Sequence, residues 1–461
     1  MTVHLKKSIP ANTVPITIVD AAGFQQLKQT LAPATTRWLE TVGFHGQADS
    51  HAVLADADGR LAQVYAGVTH AEDPFALAAL PMALPLGTYR LDGQALSLPP
   101  EQAALSWSMG AYAFDRYKAR KRAPAALALP VSAASTRGKL LADAITMARD
   151  LINTPAEHMG PQELADAVQA LAKRHGARFS QIAGDALLKK NFPAIHAVGR
   201  ASDRAPRLIE LNWGTPREPL LSIVGKGVCF DSGGLDIKTP DGMRLMKKDM
   251  GGAATALALA ALVMALKLPV RLQLLIPAVE NAIAGNAYRP GDVIKTRAGT
   301  QIEIGNTDAE GRVILCDALA YAAESQPDLI IDLATLTGAA RVALGPQLPA
   351  LFCRDMTTAR QLVDLGLRID DPLWHMPLWA PYRSGIESPV GDIVNTGRNA
   401  MAGAINAALF LEYFVPAQQD WLHIDLFAWN DTARPGKPVG GEAQTIRTLL
   451  VYLERRFGAV R

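Results

Sequence analysis

Three charged residues, Asp308, Glu310 and Arg312, occupy alternate positions of the segment 305–312, which begins with a glycine and has a second one before its arginine. In an extended chain, residues two apart project to the same side. We therefore predict that the two carboxylates and the guanidinium share one face, where the carboxylates could bind a divalent cation. From these eight residues alone, a surface turn with solvated charges is an equal alternative.

Further charges lie in glycine-dense stretches earlier in the chain. Lys226, Asp231 and Lys238 fall within residues 225–238, and Asp249 directly precedes a long apolar run. The glycine spacing is not that of a phosphate-binding loop. Two structural alternatives are open: Asp249 has the position of a helix N-cap, and Lys226 could form a salt bridge with Asp231.

The four acids of these segments suggest a metal site without histidine. No histidine lies between His196 and His375, so a cation here would have oxygen ligands and at most a lysine nitrogen. Four carboxylates suit two divalent cations that share bridging acids, roughly 3.5–4 Å apart. From spacing alone, this is one hypothesis among several.

The elements on either side of the 305–312 segment would position these charges. Residues 293–297 and 301–304 are predicted to form two strands joined by a short hairpin loop, and a helix is predicted from Val313 onwards. The charged segment is therefore predicted as an extended strand-to-helix corner. Such corners often carry the catalytic residues of α/β enzymes.

Composition indicates a globular protein that would be cytoplasmic. The 461 residues are 49% hydrophobic and 20% charged, with a formal net charge of +2, which argues against nucleic acid or an anionic membrane as a general partner. The apolar run 253–266 is predicted to be a buried helix too short to span a bilayer. Three separated cysteines predict no disulfide framework and fit a reducing compartment.

The chain is predicted to form two domains. Residues 1–122 would be a smaller N-terminal α/β domain, and residues 123–135, rich in alanine and proline, an inter-domain linker. Residues 136–461 alternate between helix and strand patterns, which favours a mostly parallel central sheet flanked by helices. The predicted class is therefore α/β, with the chemistry in the larger C-terminal domain.

The sequence around these charges resembles that of the leucyl (cytosol) aminopeptidases, peptidase family M17. Residues 306–312 (Asn-Thr-Asp-Ala-Glu-Gly-Arg) resemble the signature of that family. The Gly-Lys-Gly and Phe-Asp-Ser-Gly-Gly pieces, Asp-Met-Gly-Gly-Ala-Ala and Ala-Thr-Leu-Thr-Gly-Ala are similar as well. The resemblance covers about the last 320 residues and is faint over the first 120.

The resemblance implies two divalent metal ions per subunit, Mn²⁺ or Zn²⁺. A tight site would use Lys226, Asp231, Asp249 and Glu310, and a more exchangeable site would use Asp231, Glu310 and Asp308, so that Asp231 and Glu310 bridge. A lysine can serve as ligand only after losing its proton, which two adjacent cations favour.

The resemblance also implies catalytic roles for Lys238 and Arg312. Lys238 would polarise the scissile carbonyl and stabilise the oxyanion. Arg312, which stays protonated, would hold a bicarbonate ion that transfers protons. Five residues are implied to bind the substrate: Met246, Asn306, Thr335 and Gly338 match positions that line its side-chain pocket, and Leu336 offers a backbone carbonyl. Ordinary core packing is an equal alternative for Met246.

The function implied is hydrolysis of the N-terminal residue, preferably leucine or another apolar residue, from peptides with a free amino terminus, by a water that the two metals activate. A homohexamer is expected, without a membrane partner. Two other functions remain open: a DNA-binding or accessory role beside the peptidase activity, and a two-metal phosphoesterase that uses the same carboxylates.

Overall fold

The computed structural model describes residues 2–93 and 95–458. Of these, residues up to 146 together with 432–439 form a smaller compact unit, and residues 147–431 with 440–458 form a larger one. Helix α5 (Ala133–Asn153) contains the boundary between them. Both units combine sheets with helices, so the predicted α/β class with a smaller N-terminal part is confirmed.

The smaller unit is built on a six-stranded sheet with the order β1-β6-β5-β2-β4-β3. All neighbouring strands run parallel except the β3–β4 pair. Its core includes the fully buried rings of Tyr89 and Trp107. Its strands and helices are β1 (Val3–Lys6), β2 (Val14–Val19), α1 (Ala21–Leu27), α2 (Pro33–Thr41), β3 (His51–Ala55), β4 (Leu61–Gly67), α3 (Leu80–Ala83), β5 (Thr88–Leu91), α4 (Pro100–Gly110) and β6 (Ala126–Pro130).

Strand β6 corrects the prediction of a linker over residues 123–135. It pairs with β1, opposite Val3, and with β5. The side chains of Leu127 and Leu129 are buried in the core of the unit. The alanine- and proline-rich composition suggested a linker, but alternate leucines supply the apolar face that a strand needs, and Pro130 stands at the end of the strand, where a proline is tolerated.

The larger unit is organised around a nine-stranded sheet with the order β16-β15-β18-β14-β9-β11-β8-β7, in which β10 also pairs with β11. Its central strands β18, β14, β9 and β11 run parallel to one another, as predicted, and antiparallel pairs join β15, β8 and β7. The strands are β7 (Arg178–Ala183), β8 (Arg207–Trp213), β9 (Leu220–Gly225), β10 (Gly227–Asp231), β11 (Arg271–Asn281), β12 (Val293–Lys295), β13 (Gln301–Glu303), β14 (Leu329–Ala334), β15 (Ala350–Cys353), β16 (Trp374–His375), β17 (Ile393–Val394), β18 (Trp421–Asp425), β19 (Trp429–Asn430) and β20 (Gly440–Gly441).

Helices pack around this sheet. The predicted β12–β13 hairpin is present, and β17 pairs with β13 in parallel. The helices are α6 (Pro161–His175), α7 (Ala186–Lys189), α8 (Pro193–Gly199), α9 (Pro240–Met243), α10 (Gly251–Ala265), α11 (Glu310–Glu324), α12 (Gly338–Leu344), α13 (Met356–Arg368), α14 (Gly403–Glu412) and α15 (Ile446–Phe457), with 3₁₀ turns at Ala156–His158, Met246–Met250 and Ala380–Ile386.

Helix α10 is apolar on all sides and almost entirely buried, which is typical of a core helix. Together with the 3₁₀ turn before it, Met246–Ala265 is long and apolar enough to cross a membrane, but 89% of its apolar window is buried inside the protein. Gly252 brings the helix close to β14, because a Cβ there would lie 2.1 Å from the carbonyl oxygen of Leu333.

We predict that Gly252→Ala destabilises the protein, because the added methyl group would push α10 away from β14. Overpacking of this kind typically costs about 1–3 kcal/mol, which thermal unfolding would detect as a lower midpoint. Gly285→Ala is the matched control, since no heavy atom lies within 4 Å of a Cβ at that position. Equal midpoints for the two variants would contradict the close packing of α10.

Candidate active site

The charged residues meet at the edge of the large sheet where its parallel strands end. Lys226 follows the last residue of β9, Asp231 ends β10, Thr335 follows β14 and Asn281 ends β11. The main chain of Lys226 is fixed from both sides, since its N–H donates to Leu333 and its carbonyl accepts from the N–H of Ala253. Ligands of open α/β sheets bind at this edge.

The motif segment differs from its prediction, because helix α11 begins at Glu310 and not at Val313. An extended segment would put Asp308, Glu310 and Arg312 on one face, whereas residues two apart in a helix point in different directions. The side chain of Asn306 accepts from the N–H of Asp308 at 2.7 Å, a local turn that leads the chain into the helix. The alternative of a solvated turn is also wrong, since Glu310 is 1% exposed and Arg312 is 8% exposed.

The structure nevertheless brings the predicted acids together. One oxygen each of Asp231, Asp308 and Glu310 can be chosen so that all three lie within 4.8 Å of one another. Asp249 joins them through Lys226, whose Nζ lies 2.7 Å from Asp249 Oδ2 and 2.9 Å from Glu310 Oε1.

Two lysines share the acids between them. Lys226 also donates to the carbonyl oxygen of Thr335 at 2.7 Å. Lys238 pairs with Asp231 at 2.8 Å and forms an ion pair with Asp308. The alternative salt bridge between Lys226 and Asp231 is therefore not the pairing observed.

Burial and crowding shift the pKa values of these groups. Burial, with the carboxylate of Asp249 nearby, raises the pKa of Asp231 to about 6. Burial and the charge of Asp231 likewise raise the pKa of Glu310 well above its usual range. Burial acts to lower the pKa of Lys226, but the charges of Asp249 and Glu310 outweigh it and raise that pKa. The cluster thus carries more acids than lysines, an excess that favours added positive charge.

The oxygen atoms of the cluster fit divalent cations. One buried oxygen of each of Asp249, Asp308 and Glu310 faces a lysine ammonium group, that of Lys226 for Asp249 and Glu310 and that of Lys238 for Asp308. Buried carboxylates need positive charge of this kind beside them, and divalent cations can supply it in place of the lysines. Carboxylates grouped in this way suit hard or borderline divalent cations such as Mn²⁺.

Gly311 makes room for Lys226 within the cluster. A Cβ at this position would lie 2.4 Å from Lys226 Cε and 2.7 Å from its Nζ. Any side chain at 311 would therefore displace the ammonium group from Asp249 and Glu310. The motif needs a glycine between Glu310 and Arg312 for this steric reason.

Asp249 does not cap the helix that follows it, which corrects that interpretation. It lies in the 3₁₀ turn Met246–Met250, and the N-cap of α10 is Met250, without a side-chain capping bond. The carboxylate of Asp249 accepts from Thr335 Oγ1 at 2.8 Å and faces Lys226. Its side chain is thus directed into the charged cluster and away from the helix end.

Arg312 lies beside the cluster and has a hydrogen-bond donor, its Nε, that is not used. Its Nη1 donates to the carbonyl oxygen of Asn395 at 2.8 Å, and its buried Nε has no hydrogen-bond partner. Burial lowers the pKa of Arg312 to about 10, so the guanidinium remains charged at neutral pH. A buried, charged donor of this kind can bind an anion.

The five predicted pocket residues lie on three segments around the cluster. Met246 opens the 3₁₀ turn that carries Asp249, and Asn306 belongs to the segment before α11. Thr335 contacts both Lys226 and Asp249, Leu336 donates its N–H to Asp425 at 2.9 Å, and Gly338 begins α12.

Sequence reasoning missed several polar residues that support the site. Asn281 donates from Nδ2 to Asp231 at 2.8 Å and to the carbonyl of Thr307 at 3.0 Å, and the hydroxyl of Tyr288 donates to the same carbonyl. Asn281 lies opposite Asp231 where β10 pairs with β11, a register between strands distant in sequence that the sequence alone does not reveal. Asn395 carried no sequence signal, because it lies more than 80 residues beyond the motif.

Comparison with known proteins identifies the family. The sequence model for the cytosol aminopeptidase family, catalytic domain, matches residues 146–450. The sequence model for the M17 aminopeptidase, N-terminal domain, matches residues 14–130. The chain therefore belongs to the cytosol aminopeptidase family, M17. The match also extends into the N-terminal part, where the sequence resemblance was faint.

Similar proteins agree with this membership. The probable cytosol aminopeptidase of Syntrophotalea carbinolica is 38% identical over 441 residues, which cover 92% of this chain and 86% of that protein. The crystal structure of a cytosol aminopeptidase from Coxiella burnetii matches with a TM-score of 0.93 and 50% identity over 98% of both chains. The bottromycin maturation enzyme BotP in complex with Mn matches with a TM-score of 0.86 and 33% identity, over 97% of this chain and 100% of that one.

We predict that Lys226→Met lowers the thermal unfolding midpoint of protein freed of metal ions by a chelator. The reason is that Asp249 and Glu310 would lose the buried ammonium group that they share. Removing one partner of a buried ion pair typically costs about 3–5 kcal/mol. Lys295→Met, which changes an exposed lysine of β12, is the control and should leave the midpoint in place. Equal midpoints for the Lys226 variant and wild type at pH 8 would contradict the described ion pairs.

Proposed function

We propose that the protein is a two-metal aminopeptidase that removes N-terminal leucine and other apolar residues from peptides. The observation that carries the proposal is the convergence of Asp231, Asp308 and Glu310, with two lysines against them, at the ligand-binding edge of the sheet. The family to which the chain belongs is consistent with it.

The metal ions would be Mn²⁺ or Zn²⁺, held by the five residues that the resemblance implies: Lys226, Asp231, Asp249, Asp308 and Glu310. Such cations supply Lewis acidity and a more acidic water. Lys226 must lose its proton to become a ligand, although its carboxylate partners raise its pKa. Metal binding therefore has to reverse that preference, which links binding to proton release.

Lys238 is assigned to charge stabilisation at the scissile carbonyl. Burial alone would lower its pKa, but Asp231 and Glu310 raise it, so the ammonium is charged at neutral pH. When Asp231 and Asp308 are engaged as ligands, the ammonium is free to donate to the developing oxyanion.

Arg312 is assigned to an anion that transfers protons, proposed to be bicarbonate. Support comes from its buried Nε, which lacks a partner, and from its persistent positive charge. The acids of the cluster are occupied as ligands in this scheme, so they are not free for that role.

The substrate would be a peptide with a free amino terminus, whose first side chain lies near Met246, Asn306, Thr335, Leu336 and Gly338. A neutral amine has a lone pair to offer as a ligand, while an acylated nitrogen does not. We further propose a cytoplasmic homohexamer.

We predict that the protein, supplied with Mn²⁺, hydrolyses leucine p-nitroanilide while N-acetyl-leucine p-nitroanilide is essentially inert. Loss of the amine contact removes the binding energy that positions the scissile carbon, so kcat/KM should fall as a whole. Release of p-nitroaniline provides the measurement. Comparable rates on both substrates would refute the aminopeptidase proposal.

The same assay contains its control for the metal. Exhaustive chelation should abolish hydrolysis, and added Mn²⁺ or Zn²⁺ should restore it. Full activity in a protein shown by elemental analysis to hold no metal would refute the two-metal scheme. Activity on p-nitrophenyl phosphate alone would favour the phosphoesterase alternative.

We predict that Lys238→Ala and Arg312→Ala retain their metal but turn over slowly, because neither side chain is assigned as a ligand. Loss of one preorganised charged donor typically lowers the rate by about 10²–10³-fold. Metal content by elemental analysis and kcat on leucine p-nitroanilide are measured together. A variant with wild-type kcat would show that its residue has been assigned the wrong role.

A further inference from the structure

The small sheet of β12, β13 and β17 places Asn395 next to residues 305–309 of the candidate active site. Strand β17 pairs in parallel with β13, with Ile393 opposite Ile302. The N–H of Asn395 continues the ladder by donating to the carbonyl of Glu303 at 3.0 Å. The first residue after β17 therefore faces the segment that follows β13, which leads to Asp308.

The Asn395 side chain forms all of its hydrogen bonds with that segment. Its Oδ1 accepts from the N–H groups of Gly305 at 2.8 Å and Asn306 at 3.2 Å, and its Nδ2 donates to the carbonyls of Asn306 at 2.8 Å and Ala309 at 3.4 Å. A primary amide has two acceptor sites and two donor hydrogens, so all four are used. The arrangement also fixes the amide orientation, because a flipped amide would lose every one of these bonds.

The main chain of Asn395 holds the other side of the site. Its carbonyl oxygen accepts from Arg312 Nη1 at 2.8 Å, and the side chain of the residue is fully buried. Asn395 thus contacts both the segment that carries Asp308 and the guanidinium of Arg312. The side chain of Asp308 is itself about one-third exposed, so its position depends on such support.

We propose that Asn395 is a positioning residue, which holds Asp308 in place for cation binding and Arg312 in place for its catalytic role. The inference rests on the proposed function and extends it to a residue that touches neither substrate nor cation. Side chains that orient ligands from behind typically change metal affinity or activity by about 10–100-fold when they are replaced. No regular secondary structure fixes residues 305–309, so the amide of Asn395 substitutes for a backbone ladder there.

The variants Asn395→Ala and Asn395→Asp remove different parts of the side-chain contact with residues 305–309. The alanine removes all four side-chain bonds, while the aspartate keeps the two acceptor bonds and loses both donor bonds. We expect each variant to bind at least one Mn²⁺ ion about 10-fold or more weakly than wild type. The affinity is measured by titration calorimetry of Mn²⁺ into protein from which metal ions have been removed. At saturating Mn²⁺, kcat on leucine p-nitroanilide should fall about 10–100-fold with little change in KM.

Asn395→Ala keeps the main-chain carbonyl that accepts from Arg312, so a double-mutant cycle with Arg312→Ala tests whether the side-chain bonds of Asn395 hold that carbonyl in place for the arginine. Residues that act through one another give non-additive effects, and independent residues give additive ones. We expect Asn395→Ala to lower kcat several-fold less in the Arg312→Ala background than in wild type. Additive effects would overturn the coupling, because a merely structural role lowers kcat equally in both backgrounds.

Asp317→Asn is the matched control for lost stability. Asp317 is fully buried in α11, the helix that also carries Glu310 and Arg312, and its carboxylate accepts from the N–H groups of Ala194, Ile195 and Arg297. This variant should unfold at a lower temperature with kcat and Mn²⁺ affinity unchanged. Asn395→Asp, nearly the same size as the native residue, keeps the test valid if the alanine variant does not fold.

The outcomes distinguish this inference from the proposed function. A wild-type protein that binds Mn²⁺ but does not cleave leucine p-nitroanilide overturns the proposed function, and the role of Asn395 with it. An active wild type whose Asn395 variants keep both kcat and Mn²⁺ affinity overturns the positioning role alone.

Discussion

The buried contact of Lys226 with Asp249 and Glu310 is the interaction on which the rest of the site depends. Four acids converge at one edge of the sheet, and this convergence is tolerable only because positive charge is held among them. The elements around them serve that end. Strand β9 places the lysine, the 3₁₀ turn places Asp249, and helix α11 places Glu310, while Gly311 leaves the space that the ammonium occupies.

Much of the fold was predictable because its apolar patterns are strong. The buried strands of the central sheet and the helix from Gly251 stand out by composition, and the pairing of β12 with β13 follows from a short hairpin loop. The grouping of the charged residues was predictable from the family resemblance, whereas spacing alone left it as one hypothesis among several. Which lysine pairs with which acid was not, because that depends on the register of strands distant in sequence.

Each wrong prediction has an identifiable physical cause. Alternation suggested an extended segment at Glu310, but an Asx turn at Asn306 starts the helix earlier. The position of Asp249 suggested a cap, but its carboxylate contacts Thr335 and Lys226 and caps no helix. Residues 126–130 suggested a linker, but pairing with β1 and β5 provides a sheet for their leucines. For Asp249 and for residues 126–130 a tertiary contact overrides a local preference, whereas at Glu310 a local side-chain turn decides where the helix begins.

The order of strands in the large sheet has a consequence for synthesis of the protein. Strand β18 lies between β14 and β15, although both precede it by many residues in the chain. During translation, β14 and β15 therefore cannot be joined into one sheet until residues 421–425 have left the ribosome. Pairings over such sequence distances form slowly, and the incomplete sheet exposes unpaired strand edges meanwhile. A nascent chain that stops short of β18 would contain the four acidic residues but not the complete sheet around them. Peptide hydrolysis would therefore begin only after nearly the whole polypeptide has been made.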